Sequence, residues 1–183
     1  MPISSIAGKK DTLDWIKKIS PRTILDVGAG IGTYSNLINY EQLDYDRLDA
    51  IEAWKTYIED YDLNGKYDYV FNIDVRSFTD YYYDLVIFGD VLEHMTKDEA
   101  INTWENCSKL AKYAVISIPI VHSPQGHAHG NPYEEHIKDD WTAQEVLNTF
   151  PHIYKHEEYY NGGIGVFYAK FPESLERTTN ESE

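Results

Sequence analysis

Thr23 to Gly32 reads TILDVGAGIG, a short apolar run that breaks into alternating glycines. Ile24, Leu25 and Val27 fit a buried parallel strand, because β-branched and aliphatic residues bounded by turn signals suit a sheet covered on both faces. Gly28, Gly30 and Gly32 then make a tight turn with no side chains in the way, so a ligand can approach the backbone closely. A helix beginning near Thr33 would aim its free N–H groups at that ligand. The turn is of the nucleotide-binding type. A dinucleotide fingerprint, G-x-G-x-x-G, would need its third glycine at Thr33, which makes NAD the weakest reading. The pattern present is D-x-G-x-G-x-G, with Asp26 two residues before the first glycine. A carboxylate there opposes a pyrophosphate and suits a ligand with a positive group, such as a sulfonium or an amine.

Outward from this turn, strands alternate with helices. A first helix spans about Thr12 to Ile19, with Leu13, Ile16 and Ile19 on one face, and Pro21 stops it. A strand at Thr23 to Val27 and a helix at Thr33 to Asn39 follow, then strands at Arg47 to Ile51, Tyr69 to Ile73, Asp84 to Phe88 and Ala114 to Ile118. Thr96 with Glu99, and Thr142 with Glu145, read as capping boxes that open two further helices. Near the C-terminus, Ile153 to Tyr159 and Gly165 to Lys170 flank Asn161-Gly162-Gly163 as a hairpin. This order predicts an α/β doubly wound sheet with one antiparallel strand, in a single domain over 1–183 with a polar tail from about 172.

Composition narrows the partners. The chain has 183 residues with 31 acidic and 16 basic ones, for a net charge of −15. So acidic a surface opposes polyanions, which makes nucleic acid and anionic membranes poor partners. The one cysteine, Cys107, cannot form an internal disulfide, and no run approaches transmembrane length. A cytoplasmic protein is the expectation. The 16 tyrosines include Tyr81 to Tyr83 in a row, which strand propensity at a sheet edge explains without function. The acidic run Glu41 to Asp49 reads as a solvated loop and helix end.

Ligands of doubly wound sheets bind at the carboxyl ends of the strands. Four consecutive strand ends carry an acid here: Asp26, Glu52, Asp74 and Asp90. Carboxylates are rarely buried without partners, so the repetition points to a ligand rather than to packing. Glu52 could accept from two ribose hydroxyls, and Asp74 from an adenine amino group while the Val75 N–H pairs with a ring nitrogen. With DVGAGIG at Asp26 to Gly32, IEAW around Glu52, NIDV at Asn72 to Val75 and DLVIFGDVLEHM at Asp84 to Met95, the chain resembles the class I S-adenosylmethionine (SAM) dependent methyltransferases. The resemblance runs from about Ile24 to Phe171. It implies a seven-stranded sheet with its last strand antiparallel. It also implies that the turn Gly28-Ala29-Gly30 passes under the methionine moiety, that Glu52 holds the ribose and that Asp74 and Val75 hold the adenine. Asp90 would lie beside the methionine portion and the acceptor; Asp26 either touches ligand or organises backbone N–H groups.

Two stretches remain. Asp90, Glu93 and His94 place two carboxylates and an imidazole within one helical turn, enough for a divalent metal such as Mg2+ if a histidine from a later loop joins. D-x-x-E-H is similar to the E-x-x-E-H metal motif of ubiquinone-pathway and small-RNA 2′-O-methyltransferases, with Asp90 for the first Glu; L-E-H also occurs in this fold without metal. The segment His122 to Trp141 follows the fifth strand and should wall the acceptor pocket. It carries His122, His127, His129 and His136, of which His122, His129 and His136 are candidate bases by location. The expectation is methyl transfer to a small-molecule acceptor, oxygen ahead of nitrogen. A non-catalytic SAM-binding domain and aminopropyl-type transfer on the same fold are the alternatives.

Overall fold

A computed structural model describes residues 5–128 and 130–172, which leaves His129 and the tail from 173 outside the described residues. In chain order the elements are α1 (Lys9–Ile19), β1 (Thr23–Val27), α2 (Thr33–Tyr40), β2 (Arg47–Ile51), α3 (Lys55–Asp60), β3 (Tyr69–Phe71), β4 (Tyr83–Gly89), α4 (Lys97–Leu110), β5 (Ala111–Pro119), α5 (Ala143–Thr149), β6 (Ile153–Tyr159) and β7 (Ile164–Lys170). The strands form one sheet in the order β3-β2-β1-β4-β5-β7-β6. β7 runs antiparallel to both neighbours, and the other six share one direction. The doubly wound sheet with a reversed last strand is therefore as expected.

Register fixes where a ligand can sit. Val27 lies level with Ile51 of β2 and with Phe88 of β4. Gly28, Glu52 and Gly89 consequently leave the sheet side by side, at the carboxyl edge and at the switch between β1 and β4. The strands bury both faces, as their apolar runs require. Ile24, Leu48, Leu85, Ile87 and Val115 pack on one face with Trp15 and Ile16 of α1, Tyr34 and Ile38 of α2 and Ile58 of α3. Leu25, Val86, Phe88 and Ile116 pack on the other, with Trp104 of α4 and Val146 of α5. Neighbouring residues of a strand face opposite ways, which separates Ile24 from Leu25 and makes two cores around one sheet.

Several boundaries differ from the sequence reading, each for a local reason. α1 begins three residues early, because the Thr12 hydroxyl donates to the Gly8 carbonyl at 2.9 Å and so serves the helix interior rather than its cap. β3 ends at Phe71 because the Asn72 side chain turns back to donate to the carbonyls of Glu52 and Ala53, at 2.8 and 3.1 Å. The box at Thr96 and Glu99 is complete, whereas Thr142 caps Glu145 N at 3.1 Å without the return bond. The Glu145 carboxylate is drawn away to Lys97 and Lys138 instead. Asp49 corrects the solvated reading of the acidic run. It is fully buried on β2, where Arg47 Nε and the Tyr83 hydroxyl each reach its carboxylate at 2.6 Å.

Candidate functional site

A cavity of about 270 Å³ opens at the carboxyl edge of the sheet. Its floor is Val27, Gly28 and Gly30 from the end of β1; Glu52, Asp74 with Val75, and Asp90 reach it from the ends of β2, β3 and β4. Gly28 has φ +66°, and a Cβ there would lie 2.7 Å from Val91 Cγ2. Only glycine holds this left-handed, closely approached position without strain.

Each acid is held differently. Glu52 is buried, and its two oxygens accept one backbone N–H each: Gly30 N at 3.0 Å and Trp54 N at 2.8 Å. Burial raises its pKa and these two bonds pull it back, with a net rise. The carboxylate thereby ties the glycine turn to the end of β2, and each oxygen keeps a lone pair for a further donor. Asp74 caps the short turn Val75–Ser77 by accepting from Arg76 N at 2.9 Å, and its carboxylate pairs with the Arg76 guanidinium. Burial raises its pKa, but the Arg76 pair outweighs that and holds it low. Arg76 also binds Glu99, so its charge is spent on two carboxylates. Asp90 has φ +59°, an uncommon backbone for a residue with a Cβ. Its Oδ2 accepts from Ser5 N at 3.0 Å and its Oδ1 from Ser117 Oγ at 3.1 Å, which fixes it between β5 and the N-terminal segment.

Asp26 and Ala29 do not line the cavity. Asp26 is buried and accepts from the Tyr67 hydroxyl at 2.6 Å. Desolvation pushes its carboxyl up to about 7, against the pull of that hydrogen bond and of Lys9. Lys9 is itself buried and donates to the Tyr34 hydroxyl at 2.9 Å. The acid at the end of β1 thus belongs to a buried polar network beneath the turn, which the strand-end pattern alone did not separate from the ligand-facing acids.

The segment after β5 folds back over the cavity, and Gln125, Asn131, Tyr133, Glu134 and His136 line it. Tyr133 reaches across to Trp54, ring centroids 6.4 Å apart, so the segment spans from β5 to the end of β2. Of the candidate bases, His136 is in the wall. His122 lies outside it, mostly exposed and 3.6 Å from Asp139, while His127 faces Glu135 at 3.2 Å. His94 also lines the cavity, and burial lowers it to about 4, leaving the imidazole neutral near pH 7. Glu93 is buried, with neither carboxylate oxygen hydrogen-bonded among the described residues. Sequence reasoning did not single out Ser5, Trp54, Gln125 or Tyr133; the Asn131-Pro132 pair beside Tyr133 is a turn signal that could have pointed to it.

No family model and no curated protein matches the chain. Solved structures do. A putative O-methyltransferase from Nostoc punctiforme PCC 73102 superposes with a TM-score of 0.64 at 12% identity, over 88% of this chain and 55% of that one. Magnesium protoporphyrin IX methyltransferase from Synechocystis PCC 6803, solved with bound SAM, gives 0.63 at 15% over 90% and 80%. The methyltransferase domain of a bacterial Hen1 gives 0.60 at 15% over 88% and 96%. This chain has the methyltransferase fold. It spans little more than half the length of the Nostoc protein. Identities this low carry the architecture alone, which leaves the chemistry to the site.

Proposed function

We propose that this chain is a SAM-dependent methyltransferase acting on a small-molecule acceptor, with oxygen favoured over nitrogen as the accepting atom. One observation carries the reading: on a methyltransferase fold, the glycine turn after β1 and the acids after β2, β3 and β4, Glu52, Asp74 and Asp90, line a single cavity. In this reading Gly28 and Gly30 let the methionine portion lie against the backbone, and Glu52 accepts from the ribose hydroxyls with oxygens already oriented by Gly30 and Trp54. Asp74 and the Val75 N–H take the adenine edge, and Asp90 stands beside the amino-acid end.

The chemistry asks little more than alignment. The acceptor's lone pair forms a bond to the methyl carbon as the carbon–sulfur bond breaks, and the bonding pair returns to sulfur to leave S-adenosylhomocysteine. The donor carries its own activation, so the protein gains most from holding the two reactants in line and excluding water. The segment over the cavity supplies the exclusion, and the acceptor's proton departs towards the polar end at Glu93, His94 and His136. The acidic composition, net −15, supports a small acceptor over a polyanion. The buried lone cysteine and the absence, among the described residues, of any helix able to cross a membrane support a cytoplasmic setting.

Turnover tests the proposal. The chain is incubated with SAM and a panel of phenols, carboxylates and amines, and S-adenosylhomocysteine is quantified. Product above the no-acceptor control with one class, lost in Asp90→Ala, is expected. No product with any class, from protein that binds SAM, would leave a cofactor-binding domain without transferase activity.

A further inference from the structure

The polar end of the cavity gathers three groups whose ligand atoms converge. Glu93 is 1% exposed, and neither of its carboxylate oxygens has a hydrogen-bond partner among the described residues. His94 follows it in the same short turn, and His136 comes from the segment after β5, with ring centroids 4.9 Å from those of His94. One ligand atom from each of the three lies within 4.8 Å of the others. Both imidazoles are oriented from behind. His94 Nδ1 meets the Glu135 carbonyl at 3.0 Å, and His136 Nδ1 meets the Ser123 carbonyl at 2.5 Å. A carbonyl only accepts, so Nδ1 carries the proton in each ring and Nε2 keeps its lone pair. Carbonyl-held imidazoles of this kind are how proteins aim histidines at a metal ion. A buried, unbonded carboxylate is costly unless a cation meets it.

We propose that Glu93, His94 and His136 bind one divalent transition-metal ion, of the zinc, cobalt or manganese class, which clasps the segment after β5 onto the end of β4. The set differs from the Asp90, Glu93 and His94 that the sequence suggested. Asp90 lies outside this cluster, its two oxygens accepting from Ser5 N and Ser117 Oγ, and His136 stands in its place. That exchange alters the preferred metal. Two imidazoles and one carboxylate suit zinc and its neighbours, whereas Mg2+ prefers oxygen ligands and an octahedral shell. The backbone already brings the two parts together through Lys138 N to Glu93 O at 3.0 Å, while His136 N to Gln125 O at 2.9 Å folds the segment on itself. A metal adds a side-chain clamp at the same place. The site's bearing on catalysis rests on the methyltransferase reading, but its binding does not.

The full chain, stripped with chelator and dialysed, is titrated calorimetrically with Zn2+, Co2+, Mn2+ and Mg2+, and the visible spectrum of the Co2+ form is recorded. One equivalent of Zn2+ or Co2+ is expected, with Mg2+ at least tenfold weaker and a tetrahedral or five-coordinate Co2+ spectrum. His136→Ala and Glu93→Gln should each weaken Zn2+ at least tenfold, Asp90→Asn less than twofold, and Zn2+ should raise the Tm of wild type but not of His136→Ala. His136→Gln serves in place of His136→Ala if that variant loses its circular dichroism. Failure of wild type to take up Zn2+ or Co2+, uptake unchanged without His136, or equal loss in Asp90→Asn would overturn the site. Binding of S-adenosylhomocysteine in EDTA, measured on the same samples, separates that failure from failure of the cofactor reading.

Discussion

Asp26, one residue before the end of β1, keeps its carboxyl out of water, facing the Tyr67 hydroxyl and lying near the buried Lys9. Its pKa stands at about 7 in the folded protein against an ordinary 3.8. The folded chain therefore keeps a proton that the unfolded chain releases between pH 4 and 7. The unfolded state binds fewer protons in that window, so stability falls as pH rises through it and levels off above. The displacement is worth about 4 kcal/mol at most. Asp26→Asn keeps an acceptor for Tyr67 and removes the titration, so the variant should gain on wild type between pH 4 and 8 in urea melts. A difference that stays flat across that range would show that Asp26 is ionised throughout. This residue also marks a limit of the sequence: a strand-end acid reads the same whether it faces a ligand or a tyrosine beneath the turn.

At the scale of elements, α4 and α5 offer an internal comparison of their caps. Thr96 has the reciprocal bond from Glu99, and Thr142 has only its own bond to Glu145 N. Thr96→Ala should cost about 1 kcal/mol and Thr142→Ala less, read as shifts in the denaturant midpoint. Equal costs would mean that the return bond contributes nothing. Strands and capped helices were legible because their signals are local: apolar runs such as Asp84 to Phe88, glycines at a turn, Thr three residues before Glu. α3 was not, since six residues without a side-chain cap leave no periodicity to read. The segment after β5 was legible as a wall but not residue by residue. Which of its histidines faces inward depends on backbone bonds such as His136 N to Gln125 O, and irregular chain has no period that would announce them.

For the whole molecule, the order of strands turns four separated sequence stretches into one site. Parallel pairing of β1 with β2 and β4 sets their ends level, and that alone brings Glu52, from one crossover, beside Gly30 and within reach of the cavity that Asp90 enters from another. Recognition of the strand ends in the sequence was therefore enough to assemble most of the cavity floor. The long-range polar pairs, such as Ser5 with Asp90 across 85 residues, needed the folded chain. The central claim is that this floor holds the adenosyl cofactor. Titration calorimetry of S-adenosylhomocysteine against wild type and Glu52→Ala, both in EDTA, tests it most directly. Micromolar binding by wild type, weakened at least tenfold (about 1.4 kcal/mol) by the substitution in a variant of unchanged circular dichroism, is the expected result. No binding by wild type, or binding indifferent to Glu52, would contradict it.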